Sequence, residues 1–231
     1  EIESYVLGNK IPRFSPFFIP KMISDIAAGL ISIKYGFRGP NFSTVSACAS
    51  STNSIIEAYH YIKLGKSDLM ISGGSEASVN EAALGGFNAL RALSTRNEEP
   101  SKASRPFDSG RDGFVLGEGS GTIILEEYEH AKKRGANIYC EVKGTGTSGD
   151  AYHLTAPEPN GIGAMQAMQN AINESNLDLS EIDYINVHGT STPLGDPIEI
   201  KAIKEIFKEK IYNLNISSTK SMTGHLLGAA G

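Results

Sequence analysis

Three groups of residues in this chain carry side chains that can do chemistry. The first is Cys48, in the segment 44–51 (TVSACASS), between a short apolar stretch and a helical pattern. A cysteine at a helix N-terminus can be a thiolate at neutral pH, because the helix dipole and the free N–H groups stabilise the anion. The alternative is a cysteine packed as a small apolar residue, which is the interpretation that its position alone favours.

The other two groups contain histidines. His188 follows an apolar strand pattern and opens the segment 188–193 (HGTSTP). The carboxyl ends of strands in α/β sheets face the ligand crevice, so His188 could reach a substrate, although it could also be a turn or capping residue. Lys220 and His225 lie in a segment rich in glycine and hydroxyl side chains, where a charge and a donor can stabilise developing negative charge. One thiol and two imidazoles together predict a nucleophilic site.

The elements that must position these residues alternate between helix and strand. Strands are predicted at 41–46, 68–73, 114–128, 138–143 and 183–187, and helices at 21–35 (buried and amphipathic), 51–64, 163–174 and 196–207. Strands separated by helices predict an α/β fold with a mostly parallel sheet covered on both faces. The polar stretch 94–112 is predicted to be a surface loop.

Composition limits the classes of protein. The 231 residues, 40% of them hydrophobic, can bury the core of one or two domains. Lys and Arg number 21 and Asp and Glu 26, a net charge of −5 that argues against a general nucleic-acid binder. No run approaches the roughly 18 apolar residues of a membrane span.

Cysteine usage indicates a reducing compartment. Cys48 and Cys140 stand far apart, without a second Cys or His at metal-ligand spacing, which argues against a disulfide framework or a structural zinc site. Cys140 lies in the predicted strand 138–143 and is interpreted as structural. The chain begins at Glu1 without a signal-peptide layout, and we expect an internal piece of a longer protein.

Six segments are distinctive as whole motifs. They are 44–51 (TVSACASS), 85–96 (GGFNALRALSTR), 104–108 (SRPFD), 111–119 (RDGFVLGEG), 188–196 (HGTSTPLGD) and 220–231 (KSMTGHLLGAAG). Together they strongly resemble the condensing enzymes of fatty-acid synthesis, the β-ketoacyl-[acyl carrier protein] synthases. Ser191 and Leu226 favour the synthase II branch of that family over modular polyketide synthases and synthase I respectively.

The resemblance implies a fold and a domain organisation. The family has the thiolase-like α/β fold, with five αβαβα layers, which this chain would contain only in part because it lacks both ends. Residues 1–135 would be the remainder of the N-terminal half, with Cys48, and residues 136–231 the first part of the C-terminal half, with both histidines.

The resemblance also implies a reaction. Cys48 would take the acyl group from an acyl carrier protein, while His188 and His225 would stabilise the enolate formed when malonyl carrier protein loses CO2. Lys220 would organise the site through its charge. The residues implied in substrate binding are Thr190, Thr192 and Thr155 for the phosphopantetheine arm, Phe87 for the acyl pocket, and Lys10, Arg13 and Arg91 for carrier-protein docking.

The same resemblance implies the setting of the reaction. No metal or organic cofactor is expected. The expected partners are acyl carrier protein and a second copy in a homodimer, with no nucleic acid and no membrane span, in a bacterial-type cytoplasm or an organelle stroma. Two alternatives stay open: a ketosynthase of a polyketide or aryl-polyene pathway, and a non-catalytic partner of the chain-length-factor type, in which the cysteine is usually replaced.

Overall fold

The computed structural model describes residues 6–8 and 14–231 and divides into two compact units, of which the second is Val45–Gly231. The first unit ends at Thr44 and carries helices α1 (Phe18–Met22) and α2 (Ile26–Tyr35). Among the described residues, no helix combines the length and the apolar character that a membrane span would need.

The predicted buried helix at 21–35 is wrong in two respects. Ile23 adopts extended backbone and separates α1 from α2, and neither helix has a buried residue. Only the predicted end is confirmed, at Gly36, whose φ of +69° suits a residue without a side chain.

The second unit contains all the predicted site residues that the structure describes. Its elements in chain order are α3 (Ser50–Lys63), β1 (Leu69–Glu76), α4 (Glu81–Ala89), β2 (Gly119–Glu126), α5 (Tyr128–Lys133), α6 (Ile162–Ser175), β3 (Tyr184–Asn186), α7 (Gly195–Phe207), β4 (Asn215–Ser217) and α8 (Lys220–Thr223). The predicted helices 51–64, 163–174 and 196–207 are confirmed as α3, α6 and α7 to within one residue at each end.

The sheet pairing differs from the mostly parallel sheet that the pattern predicts. β3 and β4 are parallel, but β1 and β2 are antiparallel over their full length. The prediction extended the parallel arrangement to the strands at 68–73 and 114–128, although it placed a surface loop and no helix between them. The long, largely non-helical chain between β1 and β2 lets the chain return in the opposite direction. Gly73 and Gly74, predicted to end β1, instead pair with Thr122 and Gly121.

Two predicted strands, 41–46 and 138–143, are not formed among the described residues. The segment 138–143 belongs to neither of the two described sheets, and an extended segment outside a sheet forms no ladder. Cys140 is exposed, so its interpretation as a buried strand residue is also wrong.

The core that supports the site lies around Val187, Ile203 and Phe207. Val187 follows β3, and the other two residues lie on α7, so the core fixes α7 against the end of β3. The stretch 94–112 lacks strands, as predicted, but it is not wholly a surface loop, because Ala103 is buried and Phe107 packs against this core. The two halves 1–135 and 136–231 stay a prediction.

Candidate active site

Cys48 lies in a sharp turn that leads into α3. The turn is a single 3₁₀ turn, Ala47–Ala49, and Ala47 has a φ of +48°, which a side chain rarely adopts. Ser50 Oγ accepts the backbone N–H of Ser46 at 2.9 Å and donates to the Ala47 carbonyl at 2.7 Å. The turn is therefore held by its own hydrogen bonds, with Cys48 at its centre.

His188 is held by a carboxylate that the sequence analysis did not identify. Glu199 on α7 accepts the backbone N–H of His188 at 2.6 Å and that of Gly189 at 2.8 Å, one on each oxygen. Gly189 has a φ of +41°, and a Cβ there would lie 2.6 Å from Ser218 Cβ, so only glycine fits. The turn after β3 is thus fixed from α7 on one side and from the chain after β4 on the other.

His225 reaches the same place from the end of β4. Because β3 and β4 are parallel neighbours, their carboxyl ends meet at one edge, and α8 then carries the chain to His225. The His225 backbone N–H donates to the Val115 carbonyl at 2.7 Å, and its carbonyl accepts from Gly117 N–H at 3.0 Å.

These elements bring the predicted cysteine and both predicted histidines together. Cys48 Sγ lies 3.1 Å from His225 Nε2. The imidazole rings of His188 and His225 are 5.1 Å apart and nearly perpendicular. One donor atom from each of the three side chains falls within 4.8 Å of the other two, so a single small group can contact all three.

Lys220 supplies the positive charge beside this cluster. It is 5% exposed, and burial lowers its pKa, while the negative charges of Glu199 and the Cys48 thiolate raise it. Burial also acts on Glu199, where it raises the pKa of the carboxyl group. The hydrogen bonds from the backbone N–H groups of His188 and Gly189 lower that pKa.

The Cys48 pKa corrects the expectation that the helix N-terminus makes this thiol a thiolate. Burial raises the pKa of Cys48 above its usual value. The Lys220 charge and the backbone N–H of Cys48 lower it without overcoming burial, and Glu76 adds to the increase. We therefore expect a protonated thiol in the free protein.

Both histidines are neutral near neutral pH. Burial and then the Lys220 charge lower the pKa of His188 to about 4. His188 keeps an exposed side, so its desolvation comes from the protein atoms crowded around the rest of the ring. Burial, His188 and Lys220 lower the pKa of His225 to about 3, in agreement with its 3% exposure.

A backbone contact assigns the tautomer of His225. The N–H of Leu227 donates to His225 Nδ1 at 3.3 Å, which makes Nδ1 the acceptor. A neutral imidazole has one acceptor and one donor nitrogen, so Nε2 carries the hydrogen and points it at Cys48 Sγ. His225 is therefore a hydrogen-bond donor to the Cys48 sulfur.

The cluster has donor atoms that could ligate a metal, because a thiolate and two imidazoles suit zinc. Two features oppose that use. The Lys220 charge repels a cation, and the hydrogen on His225 Nε2 occupies the lone pair that a metal would need. The arrangement favours binding a developing anion.

The histidine pKa values predict a pH-dependent stability. Below about pH 6.5, the ordinary histidine value, the unfolded chain takes up protons that the folded chain refuses until about pH 4 or 3. Proton uptake then favours unfolding, so the free energy of unfolding decreases as the pH is lowered through that window. His225 alone adds up to about 1.4 kcal/mol per pH unit.

Urea denaturation of the complete protein at pH 7, 6, 5 and 4.5 measures this slope. His225→Asn should flatten it, whereas His153→Gln, a change at an exposed histidine, should leave it as it is. Parallel profiles for the unaltered protein and His225→Asn would rule out a neutral, buried His225 as the cause.

A row of aromatic rings extends from the cluster. The ring of Phe114 lies 5.2 Å from that of His225 and 5.2 Å from that of Phe87, both edge to face. Phe87, predicted for the acyl pocket, is thus one ring removed from the histidine.

The remaining predicted residues are less closely connected to the cluster. The Thr190 and Thr192 hydroxyl oxygens lie 3.0 Å apart in the segment after His188. Thr155 is exposed and donates its backbone N–H to His153 Nδ1, and no side-chain contact joins it to the cluster in the described structure. Arg91 is exposed, and Lys10 and Arg13 lie outside the described residues.

Sequence reasoning missed the residues that hold the site. Glu199 and Asp196 are acidic residues on α7, and Asp196 is only 1% exposed. The signal available in the sequence was the presence of these two acidic residues in the first turn of the predicted helix 196–207. Arg111 was noted only within a motif, and its partners lie about eighty positions away, where local patterns carry no information.

Comparison with known proteins places the whole chain in one group. The profile "Beta-ketoacyl synthase, N-terminal domain" matches residues 3–131, and "Beta-ketoacyl synthase, C-terminal domain" matches residues 139–231. The chain is 53% identical to "3-oxoacyl-[acyl-carrier-protein] synthase 2" of Staphylococcus aureus, across all of this chain and 57% of that protein. It is 52% identical to the mitochondrial 3-oxoacyl-[acyl-carrier-protein] synthase of Arabidopsis thaliana, across all of this chain and 51% of that protein.

Solved structures agree. A beta-ketoacyl synthase from Burkholderia phymatum STM815 has a TM-score of 0.91 at 40% identity, covering 100% of this chain and 55% of that one. The AntDE:AntF complex, a type II PKS acyl-carrier protein with its ketosynthase, has a TM-score of 0.91 at 37% identity, covering 94% and 53%. The thiolase-like α/β fold class is thereby confirmed.

The chain spans about half the length of the curated relatives that it matches. The two family profiles nevertheless cover nearly all of it, in the order in which the family carries them. By these matches the chain belongs to the beta-ketoacyl synthase family.

Proposed function

We propose that the complete protein is a 3-oxoacyl-[acyl carrier protein] synthase, which condenses an acyl group with malonyl-[acyl carrier protein] in fatty-acid elongation. The observation that carries the proposal is the 3.1 Å contact between Cys48 Sγ and His225 Nε2, with His188 beside both. A thiol next to two neutral imidazoles suits acyl transfer followed by enolate formation.

In the first half-reaction, Cys48 sulfur attacks the thioester carbonyl of acyl carrier protein. The bond from the carbonyl carbon to the carrier sulfur breaks, and the proton from Cys48 leaves on the carrier thiol. The Cys48 N–H stabilises the tetrahedral oxyanion in this proposal. The Lys220 charge opposes the effect of burial on the Cys48 pKa, and it stabilises the thiolate as the thiolate forms.

In the second half-reaction, malonyl carrier protein loses CO2. The electron pair of the broken C–C bond moves into an enolate, whose oxygen accepts hydrogen bonds from His225 Nε2–H and from His188. The enolate carbon then attacks the acyl carbonyl on Cys48 and expels the sulfur, which regains a proton. Two neutral donors suit this step, because a protonated imidazole would give its proton to the enolate and quench it.

Substrate contacts follow from the surrounding residues. The paired hydroxyls of Thr190 and Thr192 suit hydrogen bonds to the phosphopantetheine arm, with exposed Thr155 as a third contact toward its outer end. Phe87 would line the acyl chain, since its ring packs on Phe114 beside His225. The reaction needs no metal or organic cofactor, because the side chains supply the nucleophile, the donors and the charge.

We also propose acyl carrier protein as the partner, homodimerisation, and a bacterial-type cytoplasm or an organelle as the compartment. A structural relative is a ketosynthase in complex with an acyl-carrier protein, and curated relatives include bacterial and mitochondrial synthases. A polyketide or aryl-polyene ketosynthase would use the same cluster and differ in its acyl substrate. A non-catalytic partner of the chain-length-factor type would have no need of Cys48.

One assay tests the proposal. The complete protein is incubated with acyl carrier proteins that bear acyl groups of different lengths and with malonyl carrier protein, and products are identified by mass spectrometry. We expect saturated acyl groups to be lengthened by two carbons with release of CO2. Turnover of polyketide or polyene intermediates alone would favour the alternative pathway, and no acyl transfer at all would remove the proposal.

Docking of the carrier protein is expected to use Arg91. The carrier is acidic and this chain carries a net charge of −5, so binding requires local positive charge such as this exposed arginine. Arg91→Glu should raise KM for carrier-bound substrate, with a smaller effect at high salt, and leave KM for acyl-pantetheine unchanged. Lys204→Glu, at an exposed position on α7, is the matched control. Equal effects on both substrates would contradict docking at Arg91.

A further inference from the structure

Residues 104–114, here named the clasp, contact the chain after β3 and the chain after β4. Ser104 Oγ donates to the Lys220 carbonyl, and the Arg105 N–H donates to Ser191 Oγ at 3.1 Å. Phe114 at the other end packs its ring against His225. One segment therefore contacts both histidine-bearing stretches.

Arg111 makes the direct side-chain connection from the clasp to the segment 190–195, here named the threonine loop. Its Nε donates to the Thr192 carbonyl at 2.9 Å, and its Nη2 donates to the Pro193 carbonyl at 3.2 Å. Its Nη1 donates to the Asp108 carbonyl at 2.9 Å, within the clasp. The guanidinium thus ties two segments that lie about eighty positions apart.

Asp196 completes the attachment. Its carboxylate accepts the Phe107 N–H at 2.8 Å and the Thr192 N–H at 3.3 Å, and it lies 3.7 Å from Arg111 Nε. The Arg111 side chain is 17% exposed and that of Asp196 1%. Charged groups with so little access to water are favourable only when they are paired and hydrogen-bonded, as these are.

We propose that Arg111 is a positioning residue, which holds the Thr190 and Thr192 hydroxyls where the pantetheine arm of the substrate binds. This inference rests on the proposed function. The carbonyls that Arg111 holds belong to Thr192 itself and to the residue after it, so the contact fixes the backbone that aims these hydroxyls. The described structure shows no contact between Arg111 and Cys48, so thiol reactivity should not depend on Arg111.

The test separates pantetheine binding from thiol reactivity in the complete protein. Arg111→Ala should raise KM for acyl-pantetheine about tenfold or more, because charge-assisted hydrogen bonds to the loop are lost. The rate at which iodoacetamide alkylates Cys48 should change by less than about twofold, since that reagent uses no pantetheine site. Added methylguanidine should restore part of the lost affinity by occupying the vacated position.

Arg105→Ala is the matched control. The Arg105 side chain is 15% exposed, and its hydrogen bonds go to groups within 102–112, none of them in the threonine loop. It should destabilise the fold comparably with a smaller change in KM. Arg111→Lys should rescue only in part, because an ammonium keeps the charge near Asp196 and cannot bond both carbonyls in a fork.

Three outcomes would overturn the inference: equal KM changes in Arg111→Ala and Arg105→Ala, slower alkylation in parallel with the KM change, or no response to methylguanidine. The proposed function fails separately, if the unaltered protein transfers no acyl group from pantetheine or carrier substrates.

Discussion

Replacing Cys48 with alanine is expected to abolish condensation completely. The covalent acyl intermediate needs a sulfur next to His225, and Cys48 Sγ is 3.1 Å from His225 Nε2. The other cysteine, Cys140, lacks this environment and is exposed. Mass spectrometry after incubation with acyl carrier protein should find the acyl group on Cys48 and nowhere else.

Cys140→Ser is the control and should keep full activity. Because Cys140 is the more accessible thiol, non-specific reagents should label it first, whereas acyl transfer from the carrier should avoid it. An acyl group on Cys140, or condensation that survives Cys48→Ala, would overturn the assignment of the nucleophile.

The second large effect is expected from the histidines. His188→Ala and His225→Ala should each slow malonyl decarboxylation by about a hundredfold to a thousandfold, the usual cost of losing one oxyanion donor. Acylation of Cys48 should persist in both, and more fully in His188→Ala, because His225 donates to the reacting sulfur. Radiolabelled CO2 release and acyl-enzyme formation measure the two steps separately.

His225→Gln is the informative companion variant. Its amide N–H can reach toward the position of the imidazole Nε2–H, so it should recover part of the decarboxylation lost in His225→Ala without adding a titrating group. Normal decarboxylation in either alanine variant would show that the enolate is stabilised elsewhere. Equal loss of both steps would indicate that the histidines only hold Cys48 in place.

The limits of α3, α6 and α7 were predictable because they are local properties, whereas the break at Ile23 and the helices α4, α5 and α8 were not predicted. The apolar periodicity of α3 and α7 and the glycines after α2 and α3 lie within the segments that they describe. Strands were less predictable, since a strand exists only with a partner. The segment 138–143 has strand composition but forms no ladder with the residues that the structure describes, and the partner of β1 proved to be antiparallel.

The chemistry of the site divides in the same way. The nucleophile candidate Cys48 and the two histidines were identifiable from residue type and motif. Their electrostatics were not, because burial and the Lys220 charge arise from segments far apart in the chain. The helix N-terminus predicted a lowered Cys48 pKa, yet burial raises it. Cys48 and His225, separated by 177 positions, come into contact only in the folded chain.

The sequence by itself determined the family, the candidate reacting groups and the limits of α3, α6 and α7, because motifs and periodicity depend on neighbouring residues. Only the tertiary structure decided how those groups act. It set the hydrogen on His225 Nε2 through Leu227, the turn of His188 through Glu199, and the threonine loop through Arg111. The Leu227 contact spans only two positions, and those of Glu199 and Arg111 span 11 and 81, but in all three the folded backbone must bring donor and acceptor together and exclude water.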